Sequence, residues 1–233
     1  MPSPARSLFT AVELAARDPI LGLTEQYNAD PNPAKVNLGV GVYFDENGKL
    51  PLLRCVQEAE RLMLAAVKPR GYLPIDGIAA YDSAVQTLVF GEGSELLRSG
   101  RVATVQTLGG TGGLKVGADF LARIDPKAQV LISDPSWENH RALFEAAGFT
   151  VDTYPYYDAA RRGVDFDAML GALEAAAPGS IVVLHACCHN PTGYDIESDQ
   201  WRKVVALLEA RGLVPFLDMA YQGFGEGIQE ACW

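Results

Sequence analysis

The stretch Gln129-Val-Leu-Ile-Ser133, Asp134-Pro-Ser-Trp-Glu-Asn-His140, Arg141-Ala-Leu-Phe-Glu-Ala-Ala147, Gly148-Phe-Thr-Val-Asp-Thr-Tyr154 decides the fold. An apolar run of strand length meets an Asp-Pro turn, and His140 to Ala147 then reads as a helix. Gly148 stops it, and Thr150 to Tyr154 is strand-like again. Strand, helix, strand with turns between them is the unit from which parallel sheets are built. Upstream, Arg101 to Thr107 predicts a strand, Gly109 to Gly113 a loop and Leu114 to Ile124 a helix. Downstream, the pattern predicts helix over Asp165 to Ala175, strand over Ser180 to His185, helix over Asp199 to Ala210 and strand over Val214 to Asp218. Val- and Leu-rich strands alternating with helices predict an α/β fold, a mainly parallel open sheet with helices on both faces.

Toward the N-terminus the alternation fades. Apolar residues at helical spacing predict helices over Leu53 to Val67 and Ile78 to Phe90. Asp18-Pro19 and Asp30-Pro31-Asn32-Pro33 favour extended chain and turns, so residues before about 38 read as an arm. Val36 to Phe44 is strand-like, with Gly39 and Gly41 inside it, which points to something approaching the backbone closely.

Composition excludes whole classes. Twenty-nine acidic against nineteen basic side chains give a formal charge of -10, the wrong sign for a nucleic-acid partner. No run approaches the roughly 20 apolar residues that span a bilayer. Cys55, Cys187, Cys188 and Cys232 include an adjacent pair that would bridge only with strain, so the expectation is a reduced, cytoplasmic protein without membrane attachment.

An open parallel sheet carries its ligand chemistry on the loops after the carboxyl ends of its strands. The unusual residues fall there. Gly109-Gly110-Thr111-Gly112-Gly113 opens onto a helix and suits an anion, or is a plain tight turn. Trp137 follows a strand and is either a stacking surface or a core aromatic. Asn190-Pro191-Thr192-Gly193 is a turn or a site loop. Asp218 ends an apolar strand, where a carboxylate is costly unless it faces a cation or donors, and Tyr221 stands beside it or on the rim. His185, Cys187, Cys188 and His189 invite a zinc reading. Neighbouring cysteines on extended backbone point apart, which favours small buried cysteines instead.

Taken in order, Asp18-Pro-Ile-Leu-Gly-Leu23, Val36-Asn-Leu-Gly-Val-Gly-Val-Tyr43, Tyr72-Leu-Pro-Ile-Asp-Gly77, Gln106 to Leu114, Ser133 to His140, Cys187-Cys-His-Asn-Pro-Thr-Gly193 and Asp218-Met-Ala-Tyr-Gln-Gly-Phe224 resemble the class I pyridoxal-phosphate-dependent aminotransferases, in the aspartate and aromatic amino acid branch. The resemblance covers nearly the whole chain. It implies the large domain of a fold type I transferase over residues 46–233, and an arm with the start of a small domain over 1–45. It also implies pyridoxal 5'-phosphate as cofactor, amino acids and 2-oxo acids as substrates, and a homodimer. By this resemblance Asp218 pairs with the ring nitrogen and His140 orients Asp218, while Asn190 and Tyr221 donate to the phenolic oxygen. Trp137 stacks on the ring, Gly110 and Thr111 hold the phosphate, and Tyr72 reaches the phosphate of the neighbouring subunit. Ile20, Leu21, Gly41, Trp137 and Asn190 touch substrate.

The same resemblance implies that the Schiff-base lysine belongs in a Ser-x-Ser-Lys segment downstream of Asp-x-Ala-Tyr. None of Lys35, Lys49, Lys68, Lys115, Lys127 and Lys203 has that context, so the expectation is a front portion that is inactive by itself. The tail from Gly227 to Trp233 departs from the family pattern, consistent with a frameshift, a premature stop or a partial gene model. A second reading keeps the fold as a non-catalytic interaction module.

Overall fold

The computed structural model describes residues 10, 12, 19–36, 39, 41–225 and 227–228. These fall into two compact units, residues 1–70 and 71–233. In the first unit lie helix α1 (Pro19–Ala29) and helix α2 (Arg54–Ala65). Extended chain was the expectation at Asp18-Pro19, and the structure corrects it. Proline suits the first helical position, where its fixed φ is pre-set and its missing N–H costs nothing. Val36 and residues 41–44 form no strand, while Asn37, Leu38 and Val40 lie outside the described residues, as does Asp18.

The second unit opens with α3 (Ala79–Phe90) and a short α4 (Glu95–Arg98). Then come α5 (Gly109–Ile124), β1 (Gln129–Asp134), α6 (Glu138–Ala146), β2 (Thr150–Pro155), and a small hairpin of β3 (Tyr157–Asp158) and β4 (Gly163–Val164). Helix α7 (Phe166–Ala175), β5 (Ile181–His185), α8 (Ser198–Arg211) and β6 (Val214–Asp218) complete it. The sheet order is β2-β1-β5-β6, and every pairing is parallel.

Strand alternation sorts the core into two layers. Val130, Ile132, Ile181 and Val183 face one side and pack with Ala118 and Leu121 of α5 and Phe144 of α6. Leu131, Val182 and Leu184 face the other, against Met169 and Leu173 of α7 and Val204 and Leu208 of α8. Helices therefore cover both faces, as the alternation predicted. Burying these apolar residues is worth about 1.5–3 kcal/mol for each large side chain, which is what holds the layers together.

Two expectations are corrected here. Residues 101–107 are not a strand, because no described strand lies alongside to complete a ladder; Gln106 N–H instead donates to the Asp76 carbonyl at 2.9 Å. Likewise the glycine-rich segment is not a loop but the first turns of α5. Glycine weakens a helix by about 1 kcal/mol per residue, yet does not forbid it. A further glycine of α5 has a packing reason, since a Cβ on Gly117 would lie 2.9 Å from the Phe216 ring.

Asp165, expected inside α7, is its N-cap, and its Oδ1 accepts from Ala168 N–H at 3.3 Å. Asp165→Ala should therefore lower stability by about 1 kcal/mol. Urea denaturation checks this, and an unchanged midpoint would show that the cap contributes nothing.

Candidate functional site

Because β1, β5 and β6 run parallel, their carboxyl ends share one edge of the sheet. The loops leaving that edge carry Trp137, Asn190 and Tyr221, all half-buried. Two X-Pro bonds in these loops, Asp134-Pro135 and Asn190-Pro191, are cis.

Asp218 and His185 are register partners at the ends of β6 and β5. The Asp218 side chain is 15% exposed, and its Oδ2 lies 2.8 Å from Nε2 of His140, which is wholly buried in the first turn of α6. Ser136 Oγ lies 2.8 Å from the other ring nitrogen, Nδ1. An ionised carboxylate only accepts, so Nε2–H donates to Asp218. Trp137 stands edge-on to His140, with centroids 5.4 Å apart.

Behind this pair runs a row of rings. His140 and His185 are 5.0 Å apart by centroid, His185 and His189 4.2 Å, and His189 stacks on Tyr156 at 3.9 Å. His189 bonds Ser133 Oγ and Thr192 Oγ1, each at 2.9 Å. His185 has no such partner, and both its ring nitrogens are buried. Burial first, and then the neighbouring His140, pushes His185 down to about 4, against smaller upward pulls from Asp218 and Asp195. Burial and the other two histidines push His189 down to about 3. Both are neutral imidazoles near pH 7.

Asn190 is positioned by its own loop. The two carboxylate oxygens of Asp195 accept from the N–H groups of Cys188 and His189, each at 2.7 Å, and Gly193 N–H returns to the His189 carbonyl at 2.7 Å. Cys188 adopts a left-handed φ of 50°, where glycine or asparagine is the usual residue. Its Sγ approaches the Tyr221 carbonyl at 3.9 Å, tying this loop to the one after β6.

The N-terminus of α5 has no side-chain cap and no acid in its first turn. Gly109 takes a left-handed φ of 67°, and a Cβ on Gly110 would meet nothing within 4 Å. Backbone N–H groups and the helix dipole therefore favour an anion at Gly110 and Thr111. Tyr72 is fully exposed. Gly41 is exposed in the first unit, which also holds Ile20 and Leu21 in the first turn of α1; their side chains lie outside what is described.

Sequence reasoning missed Ser136, Asp195, Ser133 and Tyr156. Short polar residues beside site loops carry no periodicity, so only coordinates expose such partners. Among the described residues, the group of three or more side chains able to close on an ion is His140, His185 and Asp218, with neither Cys187 nor Cys188 in it.

An open parallel sheet with a histidine-held carboxylate at one strand end, and an uncapped glycine-rich helix start, defines an α/β protein whose candidate ligand site lies along the carboxyl edge of its sheet. Residues 33–232 match the family Aminotransferase class I and II, and the chain belongs to that family. It is 65% identical over 224 residues to the aspartate aminotransferase of Pseudomonas aeruginosa and 51% identical over 226 residues to the aromatic-amino-acid aminotransferase of Escherichia coli. In both cases the match takes in 96% of this chain and 56% of the relative, so the chain spans just over half the length of these curated relatives. A solved aromatic-amino-acid aminotransferase from Burkholderia pseudomallei, covalently bound to pyridoxal phosphate, superposes with a TM-score of 0.92 at 65% identity, over 97% of this chain and 57% of that one.

Proposed function

We propose that these residues carry the ring-facing and phosphate-facing half of an amino-transfer site that moves amino groups between aspartate, glutamate or aromatic amino acids and 2-oxo acids, with pyridoxal 5'-phosphate as cofactor. The observation that carries the reading is the Asp218–His140 pair. A carboxylate at the end of a mostly apolar strand, oriented by a buried histidine, suits a cationic ring nitrogen. When bound, the cofactor supplies an electron sink for the substrate α-carbon.

Each residue then has a task. Asp218 keeps the ring nitrogen protonated, and His140 with Ser136 fixes the direction of its carboxylate. Trp137 covers one face of the ring and excludes water. Asn190 and Tyr221 donate hydrogen bonds to the phenolic oxygen, and the α5 N-terminus at Gly110 and Thr111 binds the phosphate dianion. Trp137 and Asn190 touch the substrate, and the family resemblance gives Ile20, Leu21 and Gly41 of the first unit substrate contacts as well. Tyr72 serves the site of a second subunit, so the working enzyme is a homodimer, and it is cytoplasmic. Among the described residues, no helix is long and apolar enough to cross a membrane. An arm and small-domain start over 1–45 and a large domain over 46–233 are part of the same reading.

Joining residues 1–233 to the remainder of the Pseudomonas aeruginosa relative tests it. The joined chain should bind pyridoxal phosphate and turn over aspartate or phenylalanine with 2-oxoglutarate. The 233-residue chain by itself should not, because none of its six lysines lies in a Ser-x-Ser-Lys segment. A folded joined chain that ignores the cofactor overturns the proposal, and turnover by the short chain overturns the lysine argument.

A further inference from the structure

Three ligating side chains meet where β5 and β6 end beside α6. His140, His185 and Asp218 each bring one nitrogen or carboxylate oxygen, and these atoms all lie within 4.8 Å of one another. Their backbones are fixed by a helix and two register-paired strands. Both nitrogens of His185 are buried without a hydrogen-bond partner, a cost that native proteins seldom leave uncompensated. From these observations we propose that, when no cofactor ring faces Asp218, His140, His185 and Asp218 bind one divalent transition-metal ion of the zinc, cobalt or nickel class.

The donor set argues for that class. Two imidazoles and one carboxylate suit a borderline divalent ion, whereas calcium and magnesium prefer all-oxygen sites. Three protein donors leave the remaining positions to solvent. Closing the triangle falls mainly to the His185 ring, which no hydrogen bond restrains. For Nε2 of His140 to ligate, its proton would leave to solvent, and the bound ring would carry its one N–H proton on Nδ1 and donate it as a hydrogen bond to Ser136 Oγ. Ser136 then orients a metal-bound histidine as outer hydrogen-bond partners do. The inference goes beyond the aminotransferase reading, although it shares Asp218 with it: metal and cofactor ring would exclude each other.

Titration of the metal-free, cofactor-free 233-residue chain with cobalt(II), followed by absorption and calorimetry, tests this. Saturation at one ion per chain is expected, with the weak visible bands of nitrogen and oxygen ligation. His185→Ala and Asp218→Asn should each weaken binding by about 100-fold or more, since loss of an outer partner alone costs 10- to 100-fold. Circular dichroism checks that each variant is folded, and if one is not, the cobalt spectrum of the unaltered chain decides. Absence of saturable binding, intense thiolate-to-metal bands, or an unchanged affinity in folded His185→Ala overturns the proposal. No cofactor enters the measurement, so its failure leaves the aminotransferase reading where it stood.

Discussion

Replacement of Asp218 by alanine in the joined chain should lower turnover by about 10²–10³-fold, the loss typical of removing one preorganised electrostatic partner from a site. The carboxylate is 15% exposed and fixed by His140 at 2.8 Å, so its charge is only weakly screened. On the proposed reading, a ring nitrogen facing position 218 would then have no anion to keep its proton, and a neutral ring would draw electrons poorly. The proposed phosphate site at Gly110 and Thr111 is untouched, so cofactor should still bind while kcat falls. Asp218→Glu keeps the charge with a displaced oxygen and should fall between. His140→Asn removes only the orienting bond and should cost about 10- to 100-fold. Steady-state kinetics with cofactor occupancy read by absorbance separate these cases, and a fully active Asp218→Ala enzyme would remove the central role assigned to this acid.

Legibility in the sequence followed how local the determining force is. Strands β1, β5 and β6 announce themselves as short apolar runs, and the two core layers follow from strict alternation along them. Segment 101–107 has the same apolar pattern, yet a strand also needs a neighbour, and sequence is silent on who pairs with whom. The glycines hide the first turns of α5 from a sequence reading, because propensity is a weak prior that packing overrides. At the site, Asp218 was readable from the cost of ending an apolar strand with a charge. Ser136 and Asp195 were not, since a serine four residues before a histidine, or an aspartate six after one, is ordinary until the backbone turns them inward.

Stability of the 233-residue chain should fall steeply between about pH 6.5 and 4. The chain has three histidines, and their rings stand in one row. His185 is lowered to about 4 and His189 to about 3 in the fold, while in the unfolded chain each takes its usual value near 6.5. Below 6.5 the unfolded state binds protons that the folded state refuses, so unfolding is favoured as pH drops and the stability present above pH 6.5 is progressively lost. At about 1.4 kcal/mol per pKa unit, His185 alone accounts for about 3 kcal/mol by pH 4, and His189 adds a loss of similar size. Against the 5–15 kcal/mol typical of a folded domain, that is a large share of the stability. Urea melts at pH 7, 6, 5 and 4.5 measure the slope, and His185→Asn, which has nothing to protonate, should flatten it. A stability unchanged from pH 7 to 5 would mean that these imidazoles already reach water or a partner in the native state, and with that the buried row behind Asp218 would lose its physical basis.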